Sequence, residues 1–183
     1  MARAKPGPGT TTKTQRIAGE LARIVDAGAR VPFETVDFAQ PARPKTCLEI
    51  DFPIVPVNSV ASIEASSGAA TKPTYQMSKW WARRQSSVFR SLLLAATARA
   101  PKDELEAARS TWTAYYGNHQ ANESLRDLVV ADIFMGGGTA VVEASRLGMK
   151  VLGNDLNPVA WFVVQNQLST ITPERAEALV QHV

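Results

Sequence analysis

Two carboxylates and a run of glycines are the residues here whose types and spacing could do chemistry. Asp132 opens the stretch Asp132-Ile-Phe-Met-Gly-Gly-Gly-Thr139, and Asp155 lies within Leu152-Gly-Asn-Asp-Leu-Asn-Pro158, 23 residues after Asp132. Gly136, Gly137 and Gly138 permit a tight turn and close approach of backbone to a ligand. Dinucleotide and phosphate sites place bare amides and helix N-termini against an anion. Two carboxylates at one site instead suit a ligand without phosphate that carries positive charge. S-adenosylmethionine has that chemistry: a sulfonium, an ammonium and a ribose diol. Asp155 is assigned to the two ribose hydroxyls, which one carboxylate accepts together. Asp132 and the backbone from Phe134 through Met135 to Gly138 are assigned to the methionine end, with Thr139 and Asn157 closing the two stretches. A dinucleotide fingerprint fails on spacing, because Gly136 and Gly138 match but position 141 is Val. A phosphate-binding loop would need Gly-Lys-Ser/Thr, which does not occur here. The bland alternative is an ordinary glycine-rich turn with a chance acid.

The elements that must position these residues are legible around them. Leu128-Val-Val-Ala-Asp132 is short, apolar and β-branched, as a buried parallel strand reads. Thr139 suits an N-cap for a helix over 140–147, and Gly148 suits its C-terminal stop. Residues 149–153 read as a second strand. Asn157 and Pro158 then start another helix, as cap and first helical residue. A strand, turn, helix, strand and acid in this order make half of a Rossmann-like α/β sheet.

The two stretches resemble the cofactor motifs of DNA amino-methyltransferases, whose usual form is Asp-Pro-Phe-x-Gly-x-Gly-Thr followed by Gly-x-Asp-x-Asn-Pro. Ile133 stands where Pro is usual. Upstream, Lys72-Pro-Thr-Tyr75, Lys79-Trp-Trp-Ala-Arg-Arg84 and Ser87-Val-Phe-Arg90 are similar to the N-terminal region of large DNA methylases, which often carry His where this chain has Ser78. The resemblance spans roughly residues 47–168. It implies an S-adenosylmethionine-dependent methyltransferase fold and methyl transfer to an exocyclic base nitrogen, that of adenine first among the bases. In related methyltransferases a helix just before the first strand helps hold the methionine end, which implies Tyr75, Lys79 and Trp80 near the pocket. Arg83, Arg84 and Arg90 are candidates for DNA phosphate contacts, with a solvated basic face as the plain alternative.

The rest of the chain divides into a flexible tail over 1–13, a mainly helical region over 14–126 and the partial cofactor-binding domain over 127–183. A helix over 15–27 follows from the shared face of Ile17, Leu21, Ile24 and Val25. Residues 31–46 read as irregular, 47–52 as a short strand and 59–74 as a loop. A helix over 79–97 would bury Trp81, Val88, Phe89, Leu92 and Ala96. Another over 101–117 starts acidic, which suits its dipole, and ends in Trp112, Tyr115 and Tyr116. These read as packing more readily than as a base-stacking platform. His119 and His182 are given no role. The single cysteine, Cys47, excludes a disulfide framework and fits a cytoplasmic location. No apolar run reaches membrane-span length, and the opening residues lack a signal core. A net charge of +3 permits nucleic-acid binding without requiring it.

The length sets a limit. A βαβ unit takes about 30 residues, so the segment after Leu128 holds little more than two strands, and an incomplete sheet is expected. Thr172-Pro-Glu174 reads as a further helix start. The family's catalytic Asp/Asn-Pro-Pro-Tyr does not occur; Asn157-Pro-Val-Ala160 lacks the second Pro and the aromatic ring. Two readings follow. The chain is the N-terminal part of a DNA methyltransferase whose catalytic and target-recognition parts lie on a second chain or a further region. Alternatively it is a cofactor-binding or regulatory module that does not catalyse. An uncovered sheet edge and helix faces at Trp161, Val164 and Leu168 are expected to make the isolated chain poorly soluble.

Overall fold

The computed structural model describes residues 34–66, 73–76, 78–117, 122–170 and 172–180. The tail and first helix expected over 1–27, together with His119 and His182, lie outside the described residues.

Residues 59–66, expected as loop, belong to helix α1 (Ile54–Ser66). Its small and polar residues hid a narrow inward stripe of Val57, Ala61 and Glu64, spaced as one helix face requires. Ser59 and Ser62 fold their hydroxyls onto the carbonyls of Val55 and Asn58 and so remain compatible with a helix. Helix α2 (Pro73–Gln76) is a single turn.

The helix expected over 79–97 begins only at Ser86, as α3 (Ser86–Thr97). Glu64 fixes that start. Its Oε1 accepts the Ser86 amide at 2.8 Å, and its Oε2 accepts the Ser87 amide at 3.0 Å and hydroxyl at 2.8 Å. Gln85 provides no side-chain cap, so the cap comes from a different helix. Burial alone would raise the Glu64 pKa, but these bonds outweigh it and leave the group below its ordinary value. A carboxyl with a depressed folded pKa stabilises above its unfolded value of about 4.3, and that contribution fades as pH falls through the folded value. Glu64→Gln is therefore expected to cost about 1 kcal/mol near neutrality. The deficit should shrink in urea titrations taken below about pH 4.

The short strand expected at 47–52 is a 3-10 turn, Cys47–Glu49. Glu49 Oε2 accepts the Thr46 amide at 2.7 Å and hydroxyl at 3.0 Å, which bends the chain where a strand would extend. Thr46 instead makes an isolated antiparallel bridge with Arg99, as Thr35 does with Ala98. Residues 101–117 split into a 3-10 turn at Glu104–Glu106 and helix α4 (Ala107–Gly117). Trp112, Tyr115 and Tyr116 pack on one another, with centroids 4.7 to 5.2 Å apart, and Tyr115 reaches the core.

Strands β1 (Val129–Asp132) and β2 (Lys150–Gly153) are parallel, from Val129 opposite Lys150 to Asp132 opposite Gly153. Helix α5 (Thr139–Arg146) joins them; α6 (Pro158–Leu168) and α7 (Pro173–Val180) follow. The described residues are thus a mixed α/β arrangement, mostly helical, with a two-stranded parallel sheet. Strand side chains alternate between faces. Val130 and Val151 pack on Leu94 of α3, Leu125, Ala144 and Leu147 of the α5 region, and Met149. The helical region and the strands therefore share one core.

On the other face Val129 and Leu152 are exposed, as are Trp161 and Phe162 on α6. Val164, expected to lie uncovered, is instead buried with Met135 and Val141, and Leu168 packs beside it. The exposed apolar face predicts concentration-dependent association of the isolated chain, which light scattering behind size exclusion would register. A monomer at all concentrations would contradict it.

Candidate functional site

The glycine turn sits at the carboxyl ends of both strands. Three backbone bonds shape it: Asn154 N–H to Asp132 O at 2.9 Å, Met135 N–H to Asn154 O at 3.0 Å, and Gly138 N–H to Met135 O at 2.7 Å. The first two join the β1 loop to the β2 loop. Gly136 and Gly138 have positive φ, 49° and 75°. Gly138, not Thr139, is the N-cap of α5. Thr139 is its first residue and donates its hydroxyl to Arg84 O at 3.3 Å.

Both acids help hold this turn. Asp132 Oδ1 accepts the Phe134 amide at 3.1 Å. Asp155 Oδ1 accepts the Asn157 amide and Oδ2 the Gly136 amide, each at 2.8 Å. Those two bonds, Asn157 first, lower the Asp155 pKa and keep it ionised. Each Asp155 oxygen retains acceptor capacity, since a carboxylate has about four lone-pair sites. Asn157 caps α6 through a bond from Val159 N–H to its Oδ1 at 2.9 Å, so its side chain is committed to the helix. Met135 is buried, while Phe134 stands exposed at the mouth.

A cleft of about 680 Å³ adjoins the turn. Trp80, Arg84, Asp132, Phe134 and Gly136 line it, with Phe89 and Leu92 of α3 as an apolar wall. Asp155 is not among its lining residues. Trp80 lies directly on the turn. A Cβ on Gly137 would come within 2.9 Å of Trp80 Cγ, and one on Gly136 within 3.3 Å of its Nε1. The glycines are therefore needed for the contact with Trp80 as well as for the bend.

Three expected ligand contacts are replaced by internal ones. Arg83, expected on DNA phosphate, donates from Nη1 to Gly137 O at 2.7 Å and stacks over Tyr75, 4.8 Å from its centroid. With its amide oriented to satisfy both neighbours, Gln167 of α6 donates to Gly137 O at 3.2 Å and accepts from Arg83 Nη2 at 3.1 Å. Arg90 is only 4% exposed and pairs with Glu143, Nη1 to Oε2 at 3.5 Å, so it cannot meet DNA. Tyr75, expected beside the pocket, is buried and donates to Glu143 Oε1 at 2.8 Å. Burial, then the Glu143 charge, pushes the phenol pKa well above its ordinary value. Lys79 and Arg84 remain exposed.

The buried Glu143 and the distant Gln167 escaped the sequence reading. Glu143 had a signal: it shares the inward face of its helix with Ala140 and Leu147, at i−3 and i+4. Gln167 had none. Among the described residues no group of three or more His, Cys, Asp or Glu is placed to hold a metal ion, and no helix is long and apolar enough to cross a membrane. No protein-family model, curated protein or solved structure matches the chain.

Proposed function

We propose that this chain is the S-adenosylmethionine-binding part of a cytoplasmic DNA methyltransferase acting on an exocyclic amino group, adenine above other bases. One observation carries the reading. A glycine turn at the carboxyl ends of two adjacent parallel strands is bracketed by two ionisable acids, where open α/β sheets receive nucleosides. Motif-level resemblance to DNA amino-methyltransferases supplies the substrate class. The bound cofactor supplies an electrophilic methyl group on sulfur. The chain's own part is positional. Asp155 accepts ribose hydroxyls through its remaining lone pairs, while Asp132 and the turn backbone face the charged methionine end. Asp/Asn-Pro-Pro-Tyr, which would grip the extruded base, does not occur in the sequence. A second chain or further region carrying it completes the enzyme in this reading. The same missing motif favours the second reading, a cofactor-binding module that does not catalyse.

Calorimetric titration with S-adenosylhomocysteine tests the shared premise. Wild type should bind, and Asp155→Ala should bind at least about tenfold more weakly through loss of a charge-assisted contact. Asp155→Asn keeps an acceptor for only one of the two turn amides, so thermal melts of both variants beside the titration separate collapse of the turn from loss of ribose contact. A folded wild-type chain with no affinity would refute the premise.

A further inference from the structure

Trp81 is 86% exposed, although tryptophan is highly buried on average. The sequence pattern had placed it on the inward face of a helix. In the structure residues 79–84 cross the glycine turn outside any helix. Trp80 and Arg83 point at the turn, while Lys79, Trp81 and Arg84 are exposed. Lys79 Nζ stands 4.0 Å from the Trp81 ring centroid. One indole face thus carries a cation, and the high exposure leaves the other open.

The segment that carries Trp81 is one-sided in charge, although Asp132 lines the same cleft as Arg84. Between Glu64 and Asp103 the sequence contains no acidic residue, while Lys79, Arg83, Arg84, Arg90 and Arg99 all fall there. Arg83 and Arg90 are bound internally, so Lys79 and Arg84 are the exposed cations within three residues of Trp81. An exposed aromatic flanked by cations, with no carboxylate in its own segment, fits a polyanion that carries flat rings.

We propose that Trp81, Lys79 and Arg84 form a binding surface for single-stranded DNA beside the cleft that Arg84 lines. The indole stacks on an unpaired base, and the two cations neutralise adjacent phosphates. Stacking of this kind accepts any base, because every base has a π-face. A duplex hides those faces, so the surface discriminates against it. The inference rests on the methyltransferase reading for its choice of DNA, and it assigns strand positioning to a residue outside the cofactor motifs.

The test is fluorescence anisotropy of a labelled 20-nucleotide single strand and its duplex with the full 183-residue chain. Trp81→Ala should weaken single-strand binding about tenfold, while Trp81→Phe, which keeps a ring, stays within about threefold. Lys79→Gln and Arg84→Gln should each lower the slope of log affinity against log salt by about 0.7, whereas Trp81→Ala leaves it unchanged. Equal binding by wild type and Trp81→Ala, preference for duplex, or no binding by folded wild type would overturn the proposal. Titration of the same Trp81→Ala protein with S-adenosylhomocysteine separates the two readings. Cofactor affinity equal to wild type with DNA binding lost supports both. DNA binding that depends on Trp81 in a wild type that takes no cofactor would defeat the cofactor reading alone.

Discussion

Glu143→Ala is expected to destabilise the chain by about 3–5 kcal/mol, enough to unfold a marginal domain. The Glu143 side chain is fully buried in α5. It accepts from Tyr75 at 2.8 Å and pairs with Arg90 at 3.5 Å, and Arg146 approaches it at 3.9 Å from the surface. Burial already lowers the Arg90 pKa, opposed chiefly by the Glu143 charge. Removing the carboxylate would leave a guanidinium in the core without its main counter-charge and a buried phenol without its acceptor. Glu143→Gln keeps an acceptor for Tyr75 and should lose less. The double substitution Glu143→Leu with Arg90→Met should recover much of the loss, because it removes both buried charges. Urea denaturation of the three variants decides the matter; an unchanged midpoint for Glu143→Ala would show that the network contributes little. Tyr75 and Arg83 link this network to the turn, so partial unfolding here should also release Gly137.

Gly138→Ala should cost about 3 kcal/mol, from about 1–2 for left-handed backbone and about 1–3 for overpacking, since relaxation relieves part of the clash. Gly138 has φ 75°, and a Cβ there would overlap Val164 Cγ2 of α6. Backbone and packing penalties thus fall on one residue. Pairing the change with Val164→Ala should recover the steric part and leave the backbone part, and a double-mutant cycle from thermal melts would report the difference. Strict additivity would mean that α6 does not press on the turn. Because Gly138 caps α5 and its amide closes the turn, the single variant should also weaken S-adenosylhomocysteine binding in the titration used for Asp155.

The strand–turn–helix–strand unit was legible because its determinants are local. β-branched residues over 128–132 and 149–153, glycines where φ is positive, and an Asn-Pro helix start each act within a few positions. The same locality placed Asp132 and Asp155 at the strand ends. Upstream, local signals misled. Serines and alanines over 59–66 read as loop, yet Val57, Ala61 and Glu64 find cover on α3 and make a helix there. The apolar spacing over 79–97 extended a helix through residues that cross the glycine turn, because the cap that starts α3 comes from Glu64, 22 residues before Ser86. Arginine type suggested phosphate contacts for Arg83 and Arg90, whereas their carbonyl and carboxylate partners lie more than 50 positions away. Sequence by itself determined the parallel βαβ unit, its two acids and its bend. Only the tertiary structure decided which cations and aromatics are consumed in holding that bend and which, like Trp81, face outward. Burial and long-range pairing depend on elements far apart in the chain, and no periodicity within a segment encodes them.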